Sequence, residues 1–220
     1  MTRPRESMTP INVLAVDAAQ PDGDIIKQVA RTLTAGGLVV APTETRYGLL
    51  ARADRPDVLQ RLYEAKRRSL DLPTAVFVAT VDHIGEVGEV TALARRLIER
   101  FLPGPLTVVL RPAGNWGAPR VVNEMTGVRV SSSPLIAQLT GTVTFPLTAT
   151  SANISGQPER AAVQAIVEDL GESVDMYLDG GNLSGPVSTV VDCTGATVRI
   201  LREGAVSRQQ IMKVLEIPNV

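Results

Sequence analysis

Aromatic residues make up only 3% of the chain, as one tryptophan, three tyrosines and three phenylalanines. So few rings argue against base stacking as the main mode of contact with nucleic acid. Cysteine occurs once, at Cys193, which excludes an internal disulfide and suits a reducing compartment. Histidine also occurs once. His83, in "TVDHIGE", cannot build a His-rich metal site, and its setting fits a surface or capping role at a helix start. No phosphate loop of the Gly-x-x-x-x-Gly-Lys-Ser/Thr kind, no Gly-x-Gly-x-x-Gly and no serine elbow are present. That argues against hydrolysis by a histidine-activated nucleophile. Lysine is scarce too, at Lys27, Lys66 and Lys213 only. Formal net charge is −1, which speaks against wholesale coating of nucleic acid and leaves a local basic cleft open. The start, "MTRPRESMTP", lacks the apolar core of a signal peptide. No apolar run approaches the ~20 residues that span a bilayer. A cytoplasmic protein without membrane contact, with residues 1–10 disordered, is the expectation.

What is present is an ordinary globular composition, 44% hydrophobic and 20% charged. A chain this long buries about 70% of its unfolded surface and needs no staple. Strands are expected at 11–16, 38–41, 74–79, 106–110, 127–130, 146–150, 176–179, 188–192 and 197–201. Helices are expected at 25–35, capped by Asp22 or Asp24 and closed by Gly36-Gly37, and at 57–68, opened by Asp54 and Pro56. Others follow at 91–101, 134–140, 160–170 and 207–216. The interleaving without repeat implies an α/β fold: a single domain, 11–220, with a twisted mixed β-sheet and flanking helices.

Four clusters of cations and small hydroxyls sit at element ends. They are "PTETRY" (42–47), "KRRS" (66–69), "TSANISG" (150–156), and "STVVD" (188–192) with "ILREG" (200–204). In α/β sheets ligands gather beyond the carboxyl ends of strands. A loop such as "TSANISG" exposes backbone N–H groups to an anion, although an ordinary turn with a helix cap is the plainer reading. Lysine serves a phosphate as a point charge and arginine grips an anion with a fork. Lys66 and Arg68 could equally just offset a helix C-terminus. Glu44 could pair with Arg46 or Lys66, or line the site.

The order of the stretches "APTETRYGL", "KRR…P", "LPGPLTVVL", "VRVSSSP", "ATSANISGQP", "STVVD" and "LREGAVS" resembles the YrdC-like family over residues 25–205. The resemblance implies a basic cleft and the activity of an L-threonylcarbamoyladenylate synthase in its short, single-domain form. Such an enzyme is a nucleotidyltransferase. It joins L-threonine, bicarbonate and ATP, with Mg2+ carried on the ATP, and releases pyrophosphate. The product serves threonylcarbamoyl modification of tRNA adenosine 37, so a threonylcarbamoyl transferase complex would be the downstream partner and tRNA an indirect one. By the same resemblance the functional tetrad falls on Lys66, Arg68, Ser151 and Asn153. Thr43, Tyr47 and Arg68 would meet threonine. Lys66, Arg129, Ser151, Asn153, Ser188 and Arg202 would face ATP. Four positions depart from the family pattern: Ser69 and Ser131 replace usual prolines, Arg46 stands where Val is frequent, and Leu50 where Gly is common. An RNA-binding module, or a paralogue without synthase activity, is the alternative.

Overall fold

The computed structural model describes residues 11–113 and 125–216; the segment 1–10 lies outside them. Ten strands form one mixed sheet. They are β1 (Val13–Ala15), β2 (Val39–Pro42), β3 (Tyr47–Leu50), β4 (Ala75–Phe77), β5 (Leu106–Leu110), β6 (Thr126–Arg129), β7 (Leu147–Ser151), β8 (Met176–Asp179), β9 (Thr189–Asp192) and β10 (Arg199–Arg202). Their order across the sheet is β1-β8-β2-β3-β7-β4-β6-β5-β9-β10. Four adjacent pairs are parallel, β1–β8, β2–β8, β4–β6 and β5–β9, and the rest antiparallel. The helices are α1 (Gly23–Thr34), α2 (Pro56–Ala65), α3 (Ile84–Val87), α4 (Ala92–Phe101), α5 (Pro134–Thr142), α6 (Val163–Leu170) and α7 (Arg208–Leu215). The single-domain mixed sheet with flanking helices is as expected. None of these helices is long and apolar enough to cross a membrane.

Local signals set most of the helix ends. Asp22 accepts from the Asp24 N–H at the start of α1, Thr91 caps α4, and Ser207 forms a capping box with Gln210 in α7. Gly171 takes φ +49° after α6, where glycine escapes the Cβ penalty. At α2 the expectation needs correction at both ends. Arg55, not Asp54, stands at the cap, because Asp54 is held by Arg52 at 2.6 Å. The helix then stops at Ala65, three residues early, and Arg67 takes φ +48°. One strand was not anticipated. Residues 47–50 are all buried, so they show no alternation, yet they form β3 and pair with β2 through a turn at 43–46.

Strand periodicity gives one half of the sheet two distinct faces. Val76, Val108, Val128 and Val191 point to a core that includes Leu97 and Ile98 of α4 and Ile211 of α7. Their neighbours one residue away point to the other side. On that side Phe77 joins a second core with α1 and α5, and the rest carries the cavity described next.

Candidate functional site

A cavity of about 320 Å³ lies over this second face. Its floor is made of alternate residues from five neighbouring segments: Ala75 and Phe77, Ala149 and Ser151, Gly127 and Arg129, Thr107 and Val109, Ser188 and Val190. The cavity thus spreads over a sheet face rather than only beyond strand ends. Small residues keep the floor low. A Cβ on Gly127 would come within 2.9 Å of the Ala75 Cβ, so glycine is needed where β4 and β6 lie side by side. The walls come from the 43–48 hairpin turn, the 68–74 loop, Glu159 and the β9–β10 pair.

Charge in the lining is one-sided. Arg46, Arg68, Arg129 and Arg202 face a single carboxylate among the described lining residues, Glu159. The arginines are not equally available. Arg129 is 6% exposed and pairs with Glu44 at 3.0 Å. It also donates to Thr45 Oγ1 at 3.1 Å and lies over the Phe77 ring at 5.5 Å. Burial lowers its pKa and the Glu44 charge opposes the shift. Glu44, whose partner was left open by the sequence, pairs with Arg129 rather than Arg46 or Lys66. Arg202 clamps Ser188, through Nε to the carbonyl at 3.1 Å and Nη2 to Oγ at 2.9 Å. Arg46 donates to the Leu183 carbonyl at 2.9 Å, and Arg68 to the Pro73 carbonyl at 2.8 Å.

Three of the four residues expected as a tetrad, Lys66, Ser151 and Asn153, are hydrogen-bonded to one another at the edge of the cavity. Lys66 is 1% exposed and its ammonium donates to the Ser151 carbonyl, to the Asn153 carbonyl at 2.9 Å and to Asn153 Oδ1 at 3.2 Å. Ser151 Oγ donates to Asn153 Oδ1 at 2.6 Å, and Asn153 Nδ2 to the Gln157 carbonyl at 2.6 Å. The early end of α2 produces this arrangement. With Arg67 in the left-handed region, Lys66 turns inward under the 151–157 loop and Arg68 turns toward the cavity. Burial, then the Arg68 charge, lowers the Lys66 pKa to about 8, against the pull of Glu159.

Of the residues singled out from sequence, Thr43, Tyr47, Arg68, Arg129, Ser151, Ser188 and Arg202 line the cavity. Lys66 and Asn153 touch each other and support the loop that carries Ser151. Thr43 spends its hydroxyl on its own turn, donating to the Arg46 carbonyl at 2.7 Å. Tyr47 donates to the Gly181 carbonyl at 2.7 Å and accepts from the Gly180 N–H at 3.0 Å. Burial pushes its phenol up to about 12. It therefore offers the cavity its ring and ties the hairpin to the 180–181 loop. His83 is exposed, with Nδ1 2.8 Å from Thr80 Oγ1, inside its own turn.

Sequence reasoning missed Thr74, Phe77 and Glu159 as lining residues. A threonine opening the apolar run "TAVFVA" was the available signal for Thr74. Of the departures, Ser131 donates to Glu44 and its Oγ accepts from the Ser133 N–H at 3.1 Å, and Ser69 Oγ accepts from the Asp71 N–H at 3.3 Å, so each hydroxyl bonds its own turn where the resemblance expects a proline. Leu50 is fully buried in the core beside α1 and α5.

Side-chain polar atoms that are buried without a partner are rare in folded proteins and each asks for a cause. Among the described residues there are four: Arg46 Nε, Arg68 Nε, Thr74 Oγ1 and Ser133 Oγ. Three of these residues line this cavity.

Residues 31–204 match the Sua5/YciO/YrdC family model, whose description reads "Telomere recombination". The chain belongs to the Sua5/YciO/YrdC family. Among its relatives in that family, the threonylcarbamoyl-AMP synthase of Bacillus subtilis (strain 168) is 34% identical over 194 residues, covering 86% of this chain and 56% of that protein. The threonylcarbamoyl-AMP synthase of Vibrio vulnificus (strain YJ016) is 32% identical over 186 residues, covering 81% of this chain and 98% of that protein. The crystal structure of P. abyssi Sua5 complexed with L-threonine superposes with a TM-score of 0.85 at 32% identity, over 94% of this chain and 61% of that one. The chain thus spans little more than half of two of these Sua5/YciO/YrdC proteins and nearly all of the third.

Proposed function

We propose that this chain is a threonylcarbamoyl-AMP synthase, a nucleotidyltransferase that uses L-threonine, bicarbonate and ATP. The observation that carries the reading is the gathering of four arginines and three unpartnered polar groups at one cavity of a Sua5 fold. It is supported by relatives of that name and by the threonine complex of P. abyssi Sua5. A volume of about 320 Å³ is at the small end of ligand sites.

In the proposed reaction bicarbonate loses hydroxide to give CO2, the threonine amine adds to the CO2 carbon, and the proton the amine loses joins the hydroxide as water, leaving an N-carboxylate. A carboxylate oxygen attacks the α-phosphorus of ATP, and the bond to the β,γ-pyrophosphate breaks. No covalent enzyme intermediate is required, so the protein acts by positioning two anions and offsetting their charge. Arg68 holds the threonine carboxylate in a forked contact, beside Thr43 and the Tyr47 ring. Ser151, Ser188, Arg129 and Arg202 face the phosphates. Lys66 and Asn153 act by holding the loop from which Ser151 projects.

Mg2+ is expected with ATP. Among the described residues no three His, Cys, Asp or Glu side chains group to hold a metal ion. With Glu159 the single carboxylate of the described lining, most of the ion's ligands are assigned to ATP's own phosphates and water, and no step is routed through it. The product, an activated acyl phosphate, calls for a transferase that moves the threonylcarbamoyl group to tRNA adenosine. The test is pyrophosphate release from ATP with bicarbonate, measured with and without L-threonine. Threonine-dependent release is expected; release that ignores threonine, or none, would refute the proposal.

A further inference from the structure

Thr74 immediately precedes β4 and lines the cavity, yet none of the motifs above includes it. It is 8% exposed, its Oγ1 is sealed from solvent, and among the described residues no group accepts from or donates to that hydroxyl. Threonines at element ends ordinarily satisfy the hydroxyl on nearby backbone. Arg68 supplies the setting instead. Its Nη2 donates to the Pro73 carbonyl at 2.8 Å, which closes the 68–73 loop and lays the guanidinium against the peptide leading into Thr74. The Nε of the same guanidinium is also buried without an acceptor. Ala75 pairs with Ala149 across the sheet, so Thr74 also lies near the Ser151 end of β7. Two donors without acceptors among the described residues therefore belong to one wall of the cavity, the 68–74 loop.

We propose that Thr74 is a binding residue: its hydroxyl donates to an oxygen of the same anionic group that Arg68 Nε–H engages, a carboxylate or a phosphate. The inference rests on reading the cavity as a site for an amino acid and a nucleotide. A rotation between staggered χ1 wells turns the sealed hydroxyl to the cavity, and the arriving oxygen stabilises that rotamer. A hydroxyl adds a hydrogen bond here without adding a charge beside Arg68. A site built this way disfavours ligands that leave the hydroxyl unpaired.

Thr74→Val keeps the shape and β-branch and removes only the hydroxyl. Because that hydroxyl has no partner among the described residues, Tm is expected to stay constant or rise by about 2–4 °C. Calorimetric titration with L-threonine and, separately, with Mg-ATP reads the binding. A loss of about tenfold in one titration is expected, from one hydrogen bond to an ionised acceptor. A loss confined to threonine assigns the hydroxyl to the carboxylate given to Arg68 above; a loss confined to ATP assigns both groups to a phosphate and overturns that role of Arg68. Thr74→Ser is expected to restore wild-type affinity. A change under about twofold for both ligands, a fall in Tm, or a wild-type chain that binds neither ligand overturns the inference. Wild-type binding without threonine-dependent pyrophosphate release would instead overturn the synthase reading alone.

Discussion

Replacing Lys66 by methionine removes a buried ammonium and keeps most of its volume. The Ser151 and Asn153 carbonyls lose a charged donor, while Asn153 Oδ1 keeps the Ser151 hydroxyl at 2.6 Å. Two buried acceptors left unpaired cost roughly 2–6 kcal/mol. Against this, the wild-type chain bears the burial and the Arg68 repulsion that together lower Lys66 from 10.5 to about 8, roughly 3 kcal/mol that methionine does not incur. The two effects largely offset, so a net stability loss of no more than about 3 kcal/mol is expected, or up to about 12 °C in Tm. Turnover should fall much further, by on the order of a hundredfold, because the 151–157 loop loses the tie that positions Ser151. Pyrophosphate release measured well below the variant's Tm separates the two, and amide exchange at 151–157 reads the loop directly. Wild-type turnover with unchanged exchange would refute the reasoning. The pH profile gives a second check. With a folded pKa near 8 and an unfolded value near 10.5, the unfolded chain holds the extra proton between those values. This group therefore makes stability rise with pH in that window. Activity should fall over the same window, as the ammonium loses a donor, and the residual activity of Lys66→Met should lack that limb.

Glu44→Gln leaves the Arg129 charge buried without its partner and should cost roughly 3–5 kcal/mol, seen as a drop on the order of 10 °C in Tm; a shift under about 2 °C would mean the charge finds another acceptor. Arg46→Val should raise the KM for threonine by about tenfold with a smaller change for ATP, since Arg46 stands in the hairpin turn assigned to the amino acid. Equal KM values would move Arg46 out of the site. Cys193 is 1% exposed and burial, then the Asp192 charge, pushes its thiol up to about 12. It should resist a thiol reagent at pH 8 until denaturant is added, and reaction of the native protein would contradict its placement.

Caps, glycine stops and strand periods were legible in the amino-acid sequence because each depends on residues a few positions apart. Asp22, Ser207 and Gly171 act within one turn of their own helices. The four polar clusters were legible for the same reason, and so was the family. β3 was not, because "YGLL" is buried on both faces and carries no alternation; only pairing with β2 makes it a strand. Tertiary structure alone decided that Glu44 faces Arg129, 85 positions away, that Lys66 turns under the 151–157 loop, and that Thr74 ends without a partner among the described residues. Register between strands far apart along the chain selects which side chains share a face. No local pattern encodes that choice, and the cavity floor is its product.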